Sequence, residues 1–359
     1  MKTIIQVMGM NSTKFGGLER FMLALIDLCV DCKFILVYNS MPKSDIYLNS
    51  LRKRNVIVLE CDCSRLNFID RIQFSQKLLS YKPSIVHFHF YSDWIISLVL
   101  RLFSRARQYR SVRSCISTEF QGRLGWLRKL KNKISWYLSA ISIDKFIAVS
   151  RYVESQLEFY SLKNVMTIYH GVAPYLSESV HIDKNKKVVT CLGFASPVKG
   201  IDVFIKSLPH IMYSDYEAWS IGLDETSDYT QSLHHLAQEL GVHDRIRWIG
   251  IVDNVCEYVR VSDVFCQTSR SEALSLAACE ALMLGCPVIG SNVGGLPEVA
   301  QLTFESENSE QLAKLIDGVL IDDDYRNRLS REAETKWEHN FQLVNGAKAY
   351  RDLYLKYLA

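Results

Sequence analysis

Short apolar runs alternate with segments of helical periodicity along the whole chain, and this alternation constrains the fold more than any other feature. In the first half the runs are Ile4–Val7, Phe34–Tyr38, Val56–Leu59, Ile85–Phe90, Phe146–Val149 and Val165–Tyr169. The second half repeats the pattern with Val188–Leu192, Trp219–Leu223, Ile246–Ile249, Val264–Cys266 and Val288–Gly290. Short strands without a polar face, separated by helices, belong to parallel sheets covered on both sides. A chain of 359 residues is too long for one such core and long enough for two. The expected fold class is α/β, with two Rossmann-like domains. Ligands of open α/β sheets sit outside the carboxyl ends of the strands, so the domains are expected to face each other across a cleft. Apolar periodicity lapses and charge rises over Ala173–Lys187, which places the boundary there. The expected division is 1–175, 186–345 and a terminal helix over 346–359.

The composition is that of a soluble globular protein. The ten cysteines are scattered and fall mostly in apolar runs, as do Cys191, Cys266 and Cys279, and Cys61-x-Cys63 has the wrong spacing for zinc or a redox pair. A reduced, cytoplasmic setting is expected. The N-terminal apolar run is too short for a signal peptide, and no run approaches the ~18–20 residues that span a bilayer. The net charge of +3 hides an asymmetry: residues 101–151 hold twelve Lys or Arg against Glu119 and Asp144.

The stretch SRSEALSLAACEALMLGCPVIGSNVGGLPE, residues 269–298, points most sharply to chemistry. A buried strand ending near Gln267 gives way to a helix expected to begin near Ser275 or Leu276 and to stop at Gly285 and Pro287. The first N–H groups of a helix lack intrahelical partners and carry the positive end of its dipole, which makes an anion site. Glu272 stands in the loop and Glu280 in the helix, and carboxylates accept hydrogen bonds from paired sugar hydroxyls. Two of them flanking an anion site suit two sugars around a diphosphate, that is, a nucleotide-sugar. Lys199, in Gly193-Phe194-Ala195-Ser196-Pro197-Val198-Lys199-Gly200, follows a strand and would offset charge on a leaving diphosphate.

Residues 269–298 resemble the E-x7-E motif of the retaining GT-B glycosyltransferases of family 4, together with that family's following Gly-x-Pro-Val strand and Gly-Gly-x-x-Glu loop. The resemblance covers nearly the whole chain and is strongest over 188–300. It implies transfer of a sugar from a UDP- or GDP-linked donor to a glycan or lipid-linked glycan acceptor in surface polysaccharide biosynthesis, with no cofactor or metal required. Attack from the face that the diphosphate leaves would dispense with a protein nucleophile. The resemblance implies His89, Glu272 and Lys199 as catalytic residues. For the donor it implies Gly16, Gly17, His170, Lys199, Glu272, Ala273, Leu274, Ser275, Leu276 and Glu280, with Glu272 on sugar hydroxyls, Glu280 on the ribose and Lys199 with the helix start on the diphosphate; Arg270 joins the donor candidates from its place beside Glu272. His87 is expected in the core and His89 open to the cleft, toward the acceptor. The terminal helix would cross back to the first domain.

The chain departs from the pattern in places. Relatives have Gly-Arg where it has Gly193-Phe194, so either Arg270 supplies the missing cation or the diphosphate leans on the helix start. His170-Gly171 replaces a common Asn-Gly, and Asp322-Asp323-Asp324 reads as a helix cap rather than a metal motif. A GT-B nucleotide-sugar epimerase and a silent GT-B subunit that binds a glycan or partner stay open as alternatives. A nicotinamide dehydrogenase is disfavoured, since neither half has Gly-x-Gly-x-x-Gly after its first strand. In 123–138, Trp126, Leu127, Leu130, Ile134 and Tyr137 recur at helical spacing among cations, as in a helix lying on an anionic membrane or one facing the core. The inner face of the plasma membrane is where the first kind would act. Nucleic acid is discounted because the cations are not interleaved with a nucleic-acid motif.

Overall fold

The computed structural model describes residues 2–90, 93–116, 125–160, 162, 164–175, 182 and 184–358, with backbone alone for Ser64 and 125–132. The chain forms two units, Met1–Ala173 with Leu343–Ala359, and Pro174–Gln342. The expected linker Ala173–Lys187 contains the first division, although 176–181 and 183 lie outside the described residues. The return falls at Leu343, where a helix over Leu343–Leu358 begins, three residues before the expected 346.

In the first unit the strands are β1 (Lys2–Val7), β2 (Cys32–Tyr38), β3 (Ile57–Glu60), β4 (Ile85–Phe88), β5 (Arg107–Val112), β6 (Lys145–Ala148) and β7 (Val165–Thr167). They lie in the order β3-β2-β1-β4-β5-β6-β7. The second unit has β8 (Lys187–Leu192), β9 (Tyr216–Ile221), β10 (Ile246–Trp248), β11 (Val264–Gln267), β12 (Val288–Ser291) and β13 (Leu302–Phe304), ordered β10-β9-β8-β11-β12-β13. All these pairings are parallel. Strand order reverses between β1 and β4 in one sheet and between β8 and β11 in the other, and such switch points open a crevice at the strands' carboxyl ends.

The sequence reading lacks β5 and β13. Arg-Gln-Tyr-Arg-Ser-Val carries too many polar groups to read as a buried strand, yet Gln108, Tyr109 and Ser111 are fully buried. Arginines in and beside this strand have neighbours within the first unit. Arg101 and Arg107 both pair with Asp144, each at 2.9 Å, and the Arg110 guanidinium lies 3.8 Å from the centre of the Trp136 ring. Trp136 is buried against Phe146 and Tyr160. It belongs to the helix Gly125–Ser142, whose later turns expose Ile134, Tyr137 and Ile141.

The terminal helix covers the first sheet. Gly346 allows the approach: a Cβ there would meet the Tyr169 carbonyl oxygen at 2.5 Å. Tyr350 and Tyr354 are fully buried and bring hydroxyls into the sheet. No described helix is long and apolar enough to cross a membrane.

Candidate active site

At the switch point of the second sheet, three backbone constraints bring the motif together. Gly200 has φ +64°, and a Cβ there would lie 1.9 Å from the Thr268 carbonyl oxygen, so only glycine lets the turn after β8 press on the chain leaving β11. A Cβ at Gly193 would sit 2.8 Å from the Lys199 Cβ. Gly294, at φ +57°, would place a Cβ 1.9 Å from the Glu272 carbonyl oxygen, which instead accepts a 2.9 Å bond from the Gly295 N–H. The Gly-Gly loop thereby fixes the backbone of Glu272.

Within this frame Lys199 Nζ donates to Glu272 Oε1 at 2.7 Å, and Ser269 Oγ donates to the same oxygen at 2.9 Å. Phe194, in the place of the family's arginine, has its ring centre 5.2 Å from the Lys199 ammonium. The motif helix runs from Leu276 to Met283, with Ser275 Oγ accepting the Ala278 N–H at 3.2 Å. Ala273 and Ser275 are buried, Leu276 is exposed at the helix start, and Leu274 and Glu280 are partly exposed.

Arg270 does not join this group. Its guanidinium takes Asp202 in a two-point pair at 2.9 and 2.8 Å and Glu307 at 2.6 Å. These carboxylates hold its pKa well above the usual arginine value. Burial alone would raise the Asp202 carboxyl, but Arg270 and Lys206 keep it below the ordinary carboxylate range. Of the two alternatives for the missing cation, Arg270 is the one that already pairs with two carboxylates. Asp322 caps the helix Asp323–Lys336 by accepting the Tyr325 N–H at 2.9 Å, and Asp323 pairs with Lys187 and Arg326. Among the described residues no group of three His, Cys, Asp or Glu is arranged to hold a metal ion.

The first sheet's switch point carries a separate polar network. Gly16 and Gly17 open the helix Gly17–Leu28, where Glu19 accepts the Gly16 N–H at 3.1 Å and the Ser12 hydroxyl at 2.7 Å. His89, expected to be open, is 2% exposed with both ring nitrogens engaged. Arg113 Nη2 donates to its Nδ1 at 2.8 Å, so Nε2 carries the proton and donates to Gln6 Oε1 at 2.7 Å. Gln6 Nε2 in turn donates to the Tyr354 hydroxyl at 3.0 Å, which meets His87 Nδ1 at 2.5 Å, and His87 Nε2 meets Ser111 Oγ at 2.8 Å. His87 is thus a core residue, satisfied by side chains rather than by backbone. His170 is also buried, with its ring centre 3.8 Å from that of Phe21 and its Nε2 without a partner among the described residues. Burial pushes all three histidines well below the usual imidazole pKa, and Arg113 pushes the same way. With both nitrogens engaged, the His89 ring orients Gln6 and Arg113. The signal for Arg113 was faint: an arginine one residue past a strand that its own polarity concealed.

Doubly wound sheets with charged residues at their switch points define the α/β proteins that bind ligands over the strand ends. Residues 15–175 match the profile of Glycosyltransferase Family 4, and residues 175–336 match Glycosyl transferases group 1. The chain belongs to the group 1 glycosyltransferases of the GT-B fold. It is 27% identical over 305 residues to an uncharacterized glycosyltransferase of Methanocaldococcus jannaschii, covering 77% of this chain and 72% of that one. It is 25% identical to the O-antigen biosynthesis glycosyltransferase WclY of Escherichia coli, over 64% of this chain and 66% of that protein. Other curated relatives are matched over about half their length, 49% and 50%. The crystal structure of Anabaena HepE in complex with UDP superposes with a TM-score of 0.79 at 17% identity, covering 99% of this chain and 100% of that one.

Proposed function

We propose that the chain is a retaining hexosyltransferase that moves a sugar from a UDP- or GDP-linked donor to a glycan or lipid-linked glycan acceptor in surface polysaccharide biosynthesis. The observation that carries this reading is the Lys199–Glu272 pair, 2.7 Å apart beside the start of the motif helix. In the reaction the acceptor hydroxyl oxygen bonds to the anomeric carbon as that carbon's bond to the β-phosphate oxygen breaks. The hydroxyl proton passes to the departing phosphate oxygen. A diphosphate repels Glu272 and attracts Lys199, so donor binding exchanges one partner of the ammonium for another and frees Glu272 for sugar hydroxyls. The N–H groups at Leu276 and Ala277 complete the anion site, and Glu280 holds the ribose. With Arg270 taken up by Asp202 and Glu307, Lys199 and the helix start bear the leaving charge. The complex of HepE with UDP and the O-antigen role of WclY support the donor and pathway parts of this reading.

Glu280→Gln tests the assignment. Losing a charged acceptor of two hydroxyls weakens nucleotide binding by about 1.5–3 kcal/mol, roughly ten- to a hundredfold. Unchanged affinity by calorimetry, with the melting temperature retained, would remove Glu280 from the site.

A further inference from the structure

Beyond the carboxyl ends of β4 and β5, within the first unit, lies a cavity of about 250 Å³ whose walls include His89, Phe90, Arg110, Arg113, Ser114 and Trp136. Two guanidinium groups share this small space. Other arginines of the same unit meet carboxylates: Arg71 pairs with Asp93, and Arg101 and Arg107 pair with Asp144. Among the described residues neither Arg110 nor Arg113 does. Among the described residues Arg113 donates to the His89 ring and lies 5.7 Å from the centre of the Phe90 ring, and Arg110 has the Trp136 face as its neighbour. Burial draws both below the ordinary arginine value, Arg110 to about 9, with no carboxylate opposing it. Removing a cation from water without a counter-charge is costly, and a guanidinium has five N–H donors to satisfy. Two such groups, with no carboxylate against them among the described residues, share one cavity.

We propose that this cavity binds an anionic group of the acceptor, a phosphoryl or carboxylate group held between Arg110 and Arg113. The inference rests on the glycosyltransferase reading in taking the ligand as acceptor; the anion site itself does not. Guanidinium forks bind such oxygens at two points, which fixes orientation as well as charge. Because Arg113 also holds His89 Nδ1, an anion here engages the group that orients His89. An acceptor carrying a phosphate, as a lipid-linked sugar does, and one carrying a sugar acid offer the same oxygens to this pocket.

The test is calorimetric titration of the full chain with methyl phosphate and, separately, with methyl glucuronide, in the presence of saturating UDP or GDP so that the second unit's anion site is filled. The parent is expected to bind at least one of the two, and the tighter probe identifies the source. Arg110→Gln is expected to weaken that binding at least tenfold, and Arg110→Lys, which keeps the charge but loses the fork, about three- to tenfold. Absence of binding by the parent to both probes, or equal affinity in a folded Arg110→Gln, would overturn the proposal. If Arg110→Gln does not fold, equal affinity in Arg110→Lys overturns it. Nucleotide binding is read in the same samples. Failure there counts against the donor assignment alone, and the probes are then titrated without nucleotide and judged by the same Arg110 variants.

Discussion

Arg270 and Lys199 show what a single residue's identity does and does not disclose. Both are cations near Glu272, and sequence proximity favours Arg270, two positions away. The structure gives Lys199 to Glu272 and Arg270 to Asp202 and Glu307. The difference arises from Gly200 and Gly193, which let the turn after β8 close on the chain leaving β11; a three-dimensional approach of this kind leaves no trace in spacing. Arg270→Ala is therefore expected to act on stability. Leaving Asp202 without its two-point partner costs about 1–2 kcal/mol, discounted because Arg270 and Glu307 are partly exposed, while nucleotide affinity stays within twofold. A urea melt with parental midpoint and a tenfold loss of nucleotide binding would return Arg270 to the donor site.

At the scale of elements, the strands and the motif helix were legible wherever apolar residues carried the pattern. The helix starts at Leu276 with Ser275 as its cap, as the Ser-rich approach and the run Leu276–Met283 imply. What escaped was buried polarity. In β5, Gln108 and Ser111 pair with groups distant in sequence, Gln108 with the Ser97 carbonyl and Ser111 with the Tyr350 hydroxyl. No local rule tells such residues from a solvated surface. The terminal helix is aromatic in sequence, but its supply of the Tyr350 hydroxyl to Ser111 and of the Tyr354 hydroxyl to His87 depends on pairing across the whole chain. The same network gives the first unit a pH dependence. His87, His89 and His170 stay neutral when folded, below their unfolded pKa of about 6.5. The unfolded chain then binds more protons than the folded one as pH drops under that value, so stability is full above pH ~6.5 and declines toward the depressed folded values. Each histidine contributes up to about 1.4 kcal/mol per pH unit in that window. Urea midpoints should fall steadily from pH 7 to pH 5; a flat profile would mean that the three rings are charged in the folded protein.

Over the whole molecule, two sheets of the same winding each gather polar groups at their own switch point, one around Lys199 and Glu272, the other around His89 and Arg113. The basic segment 101–138 adds a proposed surface role in peripheral attachment to an anionic membrane. Arg101 and Arg107 pair with Asp144, and Arg110 and Arg113 line the cavity beyond β4 and β5, so attachment falls to the helix Gly125–Ser142, which exposes Ile134, Tyr137 and Ile141. Each cation near an acidic surface is worth about 1 kcal/mol and is screened by salt. Sedimentation with acidic liposomes should fall steeply as salt rises, and fall further when Arg128, Lys129, Lys131 and Lys133 are replaced by Gln; equal sedimentation of parent and variant with acidic and neutral vesicles would show no membrane role. The proposed reaction is sugar transfer with retention, carried by Lys199 and Glu272 without a metal. Its most direct measurement is a screen of UDP- and GDP-sugars with glycan acceptors in EDTA, with the product's anomeric configuration assigned by NMR. The expected result is nucleotide release coupled to a new glycosidic bond of the donor's anomeric configuration, reduced at least a hundredfold by Lys199→Ala. An inverted product, a released epimer without acceptor glycosylation, or activity restored only by Mg²⁺ or Mn²⁺ would contradict it.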